Sequence, residues 1–315
     1  MVQLLKGKVE IIDLGGATPT ITTTSSESSN DGGEGVSGDD DIIPSSMPSP
    51  QQFHDQYIKY RKPVIIKNYL KYATHNDWKV VKQEWQLGIC EHLNDQDEIC
   101  LEMKKREFEM TEYWKKRFGH LDVFISELRE NGLSHPPNYE RKMNFANVID
   151  HLRIQEETKQ AVNSKWLYVQ QVPTSDLIGI TNDYSIPNLF DASPYSILGA
   201  NTFFLGTTNT RTTLHYDRPL VDNLFLQIYG EKIWKLYEPQ EGVNFYSFGF
   251  DTKYSHVSQI PEIDQVDAEK FPLFQKAQLL CEFILQPGDL VYLPKGYWHH
   301  VQHASMSVSL NFWYY

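Results

Sequence analysis

The chain has 315 residues and a net charge of −12 with a pI near 5.4, so it lacks the surplus of Lys and Arg that supplies sequence-independent nucleic-acid affinity. Hydrophobic residues make up 40% and aromatics 13%, enough for a sizeable core and a soluble globular protein. Three cysteines, Cys90, Cys100 and Cys281, show neither metal nor disulfide spacing, no apolar run approaches the ~20 residues a bilayer span needs, and MVQLLKGKVEIIDLG lacks the apolar core of a secretory signal, so cytoplasm or nucleus is expected.

In chain order, residues 1–14 alternate well enough for one strand that adds to a sheet edge. Residues 15–46 are dominated by Thr, Ser, Gly and Asp, too polar to offset their ordering entropy, and are expected to form a disordered insertion. Ser49 caps a helix begun by Pro50, with Phe53, Tyr57 and Tyr60 on one face, and Arg61-Lys62-Pro63 ends it. Val64-Ile65-Ile66 reads as a buried strand and residues 78–92 as a helix turning Trp85 and Leu87 inward. Residues 98–103 and 108–110 read as strand segments, 121–131 and 144–152 as helices. The basic runs 104–106 and 115–117 are expected on solvated faces. No internal repeat, phosphate loop or nucleophile elbow is present, which leaves phosphotransferase and serine-hydrolase readings without a starting point.

From Trp166 onward, short strands alternate with turn-formers: WLYVQQV, then residues 195–204, 223–229 and 232–237. Residues 223–229 and 232–237, with Gly230-Glu231 between them, read as one hairpin within one sheet. A long connection, 239–275, is expected to form a partial lid. Strands follow at 279–285, 290–293, 297–302 and 306–315, suggesting a sandwich or barrel. The expected organisation is therefore 1–48, a strand plus low-complexity insertion; 49–160, an α/β wrapping region; and 161–315, the β domain.

His215 and Asp217 stand two residues apart, so in an extended strand imidazole and carboxylate share one face and can meet one ion. A His-x-Asp pair alone arises often by chance and needs a third ligand. His299 and His300 are adjacent, so only one can turn inward, and parity does not choose between them.

The segments LHYD, DNLFLQIYGEK, LQPGDLVYLPKGYWHHV and SLNFW resemble the JmjC (cupin-like) family of Fe(II) and 2-oxoglutarate dependent oxygenases. The similarity is strong over 166–315. It extends weakly to SPQQFHDQYIKYRKPVIIKNYL, which looks like the lead-in of the small hydroxylase branch that includes the asparaginyl hydroxylase acting on hypoxia-inducible factor. The resemblance implies a mainly β fold with an α/β N-terminal part, a double-stranded β-helix or jelly roll. It also implies Fe(II) held by His215, Asp217 and His299, with His300 structural. Two imidazoles and one carboxylate leave three positions of an octahedral ion open. By the same resemblance Lys232 pairs with the distal carboxylate of 2-oxoglutarate, and Tyr168 and Thr212 assist it with hydroxyls. Asn223 and Asn311 contact the keto acid near the metal, Trp313 packs beside it, and Gln170 is a weaker candidate for substrate contact. Between Asp217 and Asn223 the chain holds two residues more than the family pattern, with Pro219 among them, which puts Asn223 in question. The sequence ends just past the last strand, without the helices by which some relatives dimerise, and a monomer is expected.

The implied function is a dioxygenase that hydroxylates a protein side chain with release of succinate and CO2. Alternatives of the same chemistry are an N-methyl-lysine demethylase and a tRNA-base hydroxylase. The acidic balance disfavours RNA as a partner. From other classes come a catalytically silent cupin-like binding module and a cupin enzyme using another divalent ion.

Overall fold

Alternating apolar residues after Trp166 build the central strands of two sheets, and strands before Trp166 complete their edges. The computed structural model describes residues 4–14, 47–75, 96–129, 131–135, 139–163, 165–192 and 198–315. The predicted insertion at 15–46 and helix at 78–92, with Trp85 and Leu87, lie outside the described residues.

The strands are β1 (Leu4–Gly7), β2 (Glu10–Asp13), β3 (Val64–Lys67), β4 (Asp122–Leu128), β5 (Leu133–Ser134), β6 (Tyr139–Asn144), β7 (Trp166–Pro173), β8 (Leu198–Gly206), β9 (Arg211–His215), β10 (Asp222–Tyr229), β11 (Lys232–Tyr237), β12 (Cys281–Leu285), β13 (Leu290–Leu293), β14 (Trp298–His303) and β15 (Ser307–Tyr314). They form a six-stranded sheet, β1-β12-β11-β14-β9-β5, and a nine-stranded sheet, β2-β3-β13-β10-β15-β8-β7-β4-β6. This mainly β, cupin-like jelly roll agrees with the fold read from the sequence.

Side chains alternate across each strand, which sorts the core into layers. Phe204, Phe225, Trp234, Phe283, Val291 and Val301 fill the space between the sheets. The opposite faces of β8, β10 and β15, through Phe203, Leu205, Leu224, Leu226, Leu310 and Phe312, pack on helices. Those helices are α1 (Pro50–Phe53), α2 (Tyr69–His75), α3 (Gln96–Phe118) and α4 (Phe145–Thr158). The capping box at Ser49 is present, with Gln52 N–H donating to Ser49 Oγ and Ser49 N–H to Gln52 Oε1. Beyond Phe53 the helix continues as one wider turn, His54–Ile58, rather than stopping. Trp114 of α3 packs on Phe203 at a centroid distance of 4.8 Å.

Several expectations are overturned. The two strand segments at 98–103 and 108–110 are parts of one helix, α3, because Met110, Trp114 and Phe118 recur every four residues and are buried together. The helix expected at 121–131 is instead β4, whose Val123 and Ile125 alternate inward against exposed Asp122 and Phe124. The first strand is two: φ of +78° at Gly7 breaks it, β1 joins the edge of the smaller sheet and β2 the edge of the larger. The hairpin of 223–237 does not form: β10 and β11 lie in different sheets, and Gly230-Glu231 is the corner between them. Gly230 has φ of +65°, and a Cβ there would lie 1.9 Å from the Met306 carbonyl oxygen, so the corner requires glycine.

Candidate metal centre

His215 and His299 are directly opposite each other on β9 and β14, with ring centroids 4.2 Å apart. Asp217 lies two residues past the end of β9, and one Oδ lies 3.9 Å from His299 Nε2. One ligand atom from each of His215, Asp217 and His299 falls within 4.8 Å of the others. His299, and not His300, is the imidazole brought into this cluster. It is stacked on Trp234 at 5.6 Å, whereas His300 lies on the other strand face, opposite Lys235.

Backbone carbonyls fix both rings. His215 Nδ1 sits 2.7 Å from Thr213 O and His299 Nδ1 3.2 Å from Tyr297 O, contacts that place the proton on Nδ1 and leave Nε2 lone pairs for a cation. Burial first, and His299 second, lowers the His215 pKa to about 3; burial lowers His299 to about 4. Both imidazoles are therefore neutral at pH 7, the form that binds metal. Burial raises the Asp217 pKa, opposed by His215 and by Asn223, whose Nδ2 donates to Asp217 Oδ2 at 3.0 Å. A divalent ion would reverse that shift.

A bulge explains how Thr212 and His215, three residues apart, both meet the inner face of β14: two residues of β14 span three of β9, so Val301 pairs with Thr212 while His299 pairs with His215. β5 braces the bulge from outside, with Thr213 Oγ1 donating to Ser134 O at 2.6 Å and His135 Nδ1 3.1 Å from that hydroxyl.

Lys232 begins β11 opposite His303, on the inner face four residues along β14 from His299 and so roughly 13 Å away along the strand. It is 1% exposed, and among the described residues its ammonium makes no hydrogen bond or ion pair. Its neighbours are ring faces, Phe225 at 4.8 Å and Phe204 at 5.3 Å. Burial lowers its pKa well below the usual lysine value. A cation so placed costs several kcal/mol unless an anion joins it.

Tyr168 is 2% exposed and meets His303 edge to face at 5.2 Å, and its hydroxyl has no hydrogen-bond partner among the described residues. Thr212 Oγ1 is engaged by the Val301 backbone at 3.3 and 3.4 Å. Asn311 accepts from the Thr202 amide at 3.2 Å and from Thr202 Oγ1 at 2.5 Å. Trp313 lies opposite Asn223, its indole N–H buried without a partner among the described residues. Gln170 accepts from Ser134 Oγ at 3.3 Å.

The site contains residues that sequence reasoning did not single out. His303 was legible by parity, four positions beyond His299 on the same strand face. His256 was not: it lies in the connection 239–275, which carries little periodicity. That connection packs as a wall, with Ser258 N–H donating to Leu214 O and Tyr216 N–H to His256 O. Phe245, Ile260 and Phe271 seal it against Trp298.

The donor set fits Fe(II), since two neutral imidazoles and one carboxylate supply three ligands and leave the other positions of an octahedral ion open. The orphaned Lys232 ammonium fits the far carboxylate of a short dicarboxylic keto acid. No helix among the described residues is long and apolar enough to cross a membrane.

The family model for the cupin-like domain matches residues 50–315. Lysine-specific demethylase 8 of Xenopus tropicalis is 23% identical over 273 residues, covering 85% of this chain and 51% of that protein. JmjC domain-containing protein D of Dictyostelium discoideum is 26% identical over 277 residues, 84% of this chain and 54% of its own length. The tRNA wybutosine-synthesizing protein 5 of Danio rerio is 29% identical over 135 residues, 42% of this chain and 38% of that protein. The chain thus spans about half or less of the length of these relatives. With the ligand cluster, the jelly roll and these matches together, the chain belongs to the cupin-like JmjC family.

Proposed function

We propose that the protein is an Fe(II)- and 2-oxoglutarate-dependent dioxygenase that hydroxylates a protein side chain. The observation that carries this reading is the pairing of an empty-handed buried ammonium, Lys232, with the His215, Asp217 and His299 cluster in one interior. In this reading the cluster holds the iron, Lys232 holds the distal carboxylate of 2-oxoglutarate, and Tyr168 and Thr212 offer hydroxyls along its length. Asn311 presents its amide, and Asn223 orients Asp217 through their hydrogen bond. Phe204, Phe225, Trp234 and Val301 line the interior and keep water from the reacting centre. When bound, the iron and keto acid supply dioxygen-dependent oxidation of a C–H bond, with succinate and CO2 as coproducts.

N-methyl-lysine demethylation is the second reading, favoured by the relative named as a lysine-specific demethylase, which aligns over 85% of this chain. Hydroxylation of a tRNA base has support in the wybutosine relative but runs against a net charge of −12.

The test is incubation of the full chain with Fe(II), 2-oxoglutarate and a peptide library, reading succinate and peptide mass. Hydroxylation gives a product heavier by one oxygen atom; demethylation gives loss of a methyl group with formaldehyde. Absence of 2-oxoglutarate turnover would return the protein to a catalytically silent cupin-like module, and equal turnover by His215→Ala would remove the ligand cluster from the reaction.

A further inference from the structure

Directly outside the ligand cluster is an open cleft of about 380 Å³ lined by Arg218, Pro219, Lys253 and His256. Arg218 is the residue after Asp217, and the carbonyl of His256 accepts the Tyr216 N–H at 3.1 Å, so the cleft and the cluster share a wall. The Arg218 guanidinium donates to Ser255 Oγ at 2.8 Å, which holds it in place without neutralising it. Lys253 lies over the Tyr254 ring at 5.0 Å. Among the described residues neither cation forms an ion pair. Three other cations around the barrel do: Arg211 with Glu262 at 2.7 Å, Lys235 with Asp264, and Lys295 with Asp222 at 3.9 Å. His256 adds a buried Nδ1 with no hydrogen-bond partner among the described residues. A chain of net charge −12 therefore leaves two cations and an unsatisfied ring nitrogen together at the mouth of its candidate site.

We propose that this cleft binds a carboxylate of an acidic peptide, placing an Asp or Glu of the substrate two or three residues from the side chain presented to the ligand cluster. The inference rests on the function proposed above and names its substrate class. The spacing follows from reach: an arginine side chain extending from the position beside Asp217 sets its charge roughly 7 to 10 Å from the cluster, two to three residues of extended peptide. A peptide suits the cleft better than a nucleic acid strand. Two point charges match one or two carboxylates, whereas tracking a phosphate backbone takes a longer basic stripe. The neighbouring exposed apolar groups, Phe250 at 98% and Leu220 at 57% exposure, offer contact to a peptide's apolar side chains.

The experiment is fluorescence anisotropy with the full chain loaded with Mn(II) and 2-oxoglutarate without oxygen. Its probes are labelled peptide pools of fixed Glu, Gln or Lys content and a short single-stranded RNA. The Glu pool should bind about three- to tenfold more tightly than the Gln pool, and the gap should narrow as salt rises. Lys253→Glu, an exposed substitution, leaves one charge of each sign in the cleft and should erase the preference; Arg218→Gln leaves Lys253 alone and should narrow it. Metal and 2-oxoglutarate affinity, measured on the same samples, separates the two levels. Loss of both in the unmutated chain overturns the proposed function, while normal cofactor binding with no charge preference overturns only this inference. Tighter binding of the RNA than of the Glu pool, abolished by Lys253→Glu, would assign the cleft to nucleic acid instead.

Discussion

Lys232 is buried against the rings of Phe204 and Phe225 with no anion beside it among the described residues, and in the proposed function the distal carboxylate of 2-oxoglutarate supplies one. Two opposite effects of Lys232→Met follow. Without 2-oxoglutarate, an apolar side chain of similar length should stabilise the protein by about 1 to 4 kcal/mol, read from the urea midpoint, since an uncompensated charge is removed. With 2-oxoglutarate present, the same variant should lose the ligand-dependent stabilisation that the unmutated chain shows. A variant less stable in both conditions would mean that Lys232 serves packing alone. At this scale much was legible: His215, Asp217 and Lys232 stand in a continuous stretch, and their spacing already placed imidazole and carboxylate on one side. The choice between His299 and His300 was not, because adjacent residues on a strand differ only in which face turns inward, and Trp234 and the β9 bulge decide that through contacts distant in sequence. Nor was the cleft, since Lys253 and His256 come from a connection without periodicity.

The strands from β7 onward were legible element by element, because alternation and turn residues are local signals. What connects them was not. Residues 223–237 carry every local mark of a hairpin, yet β10 pairs with β13 and β15 while β11 pairs with β12 and β14. Turn chemistry specifies that the chain reverses, and burial on both sides of Gly230 specifies that it changes sheet. Gly230→Ala tests that corner: with φ of +65° and the Met306 carbonyl 1.9 Å from the new Cβ, it should destabilise the chain by more than about 2 kcal/mol in urea unfolding. An unchanged midpoint would show that the corner does not depend on glycine. The misreading of α3 as strand segments has a related cause. Its short runs EICLEM and FEM look strand-like in isolation, and the four-residue recurrence of Met110, Trp114 and Phe118 becomes visible only over a longer window.

Across the whole molecule, two sheets hold segments far apart in sequence, β9, β11 and β14, so that one interior carries a neutral two-histidine, one-carboxylate cluster at one level and a lone ammonium at another. The helical layer packs on the outer face of the larger sheet, away from this interior, and the 239–275 wall closes the side of β9. In the proposed function one ligand bridges the two halves of the site, so binding of metal and keto acid is expected to be coupled, and the coupling to be reciprocal. The most direct measurement is calorimetric titration of 2-oxoglutarate into the full chain without oxygen, with and without Mn(II), repeated for His215→Ala and Lys232→Met. The account predicts tight binding that depends on the metal and is lost in each variant singly; binding indifferent to the metal, or retained in either variant, would contradict it.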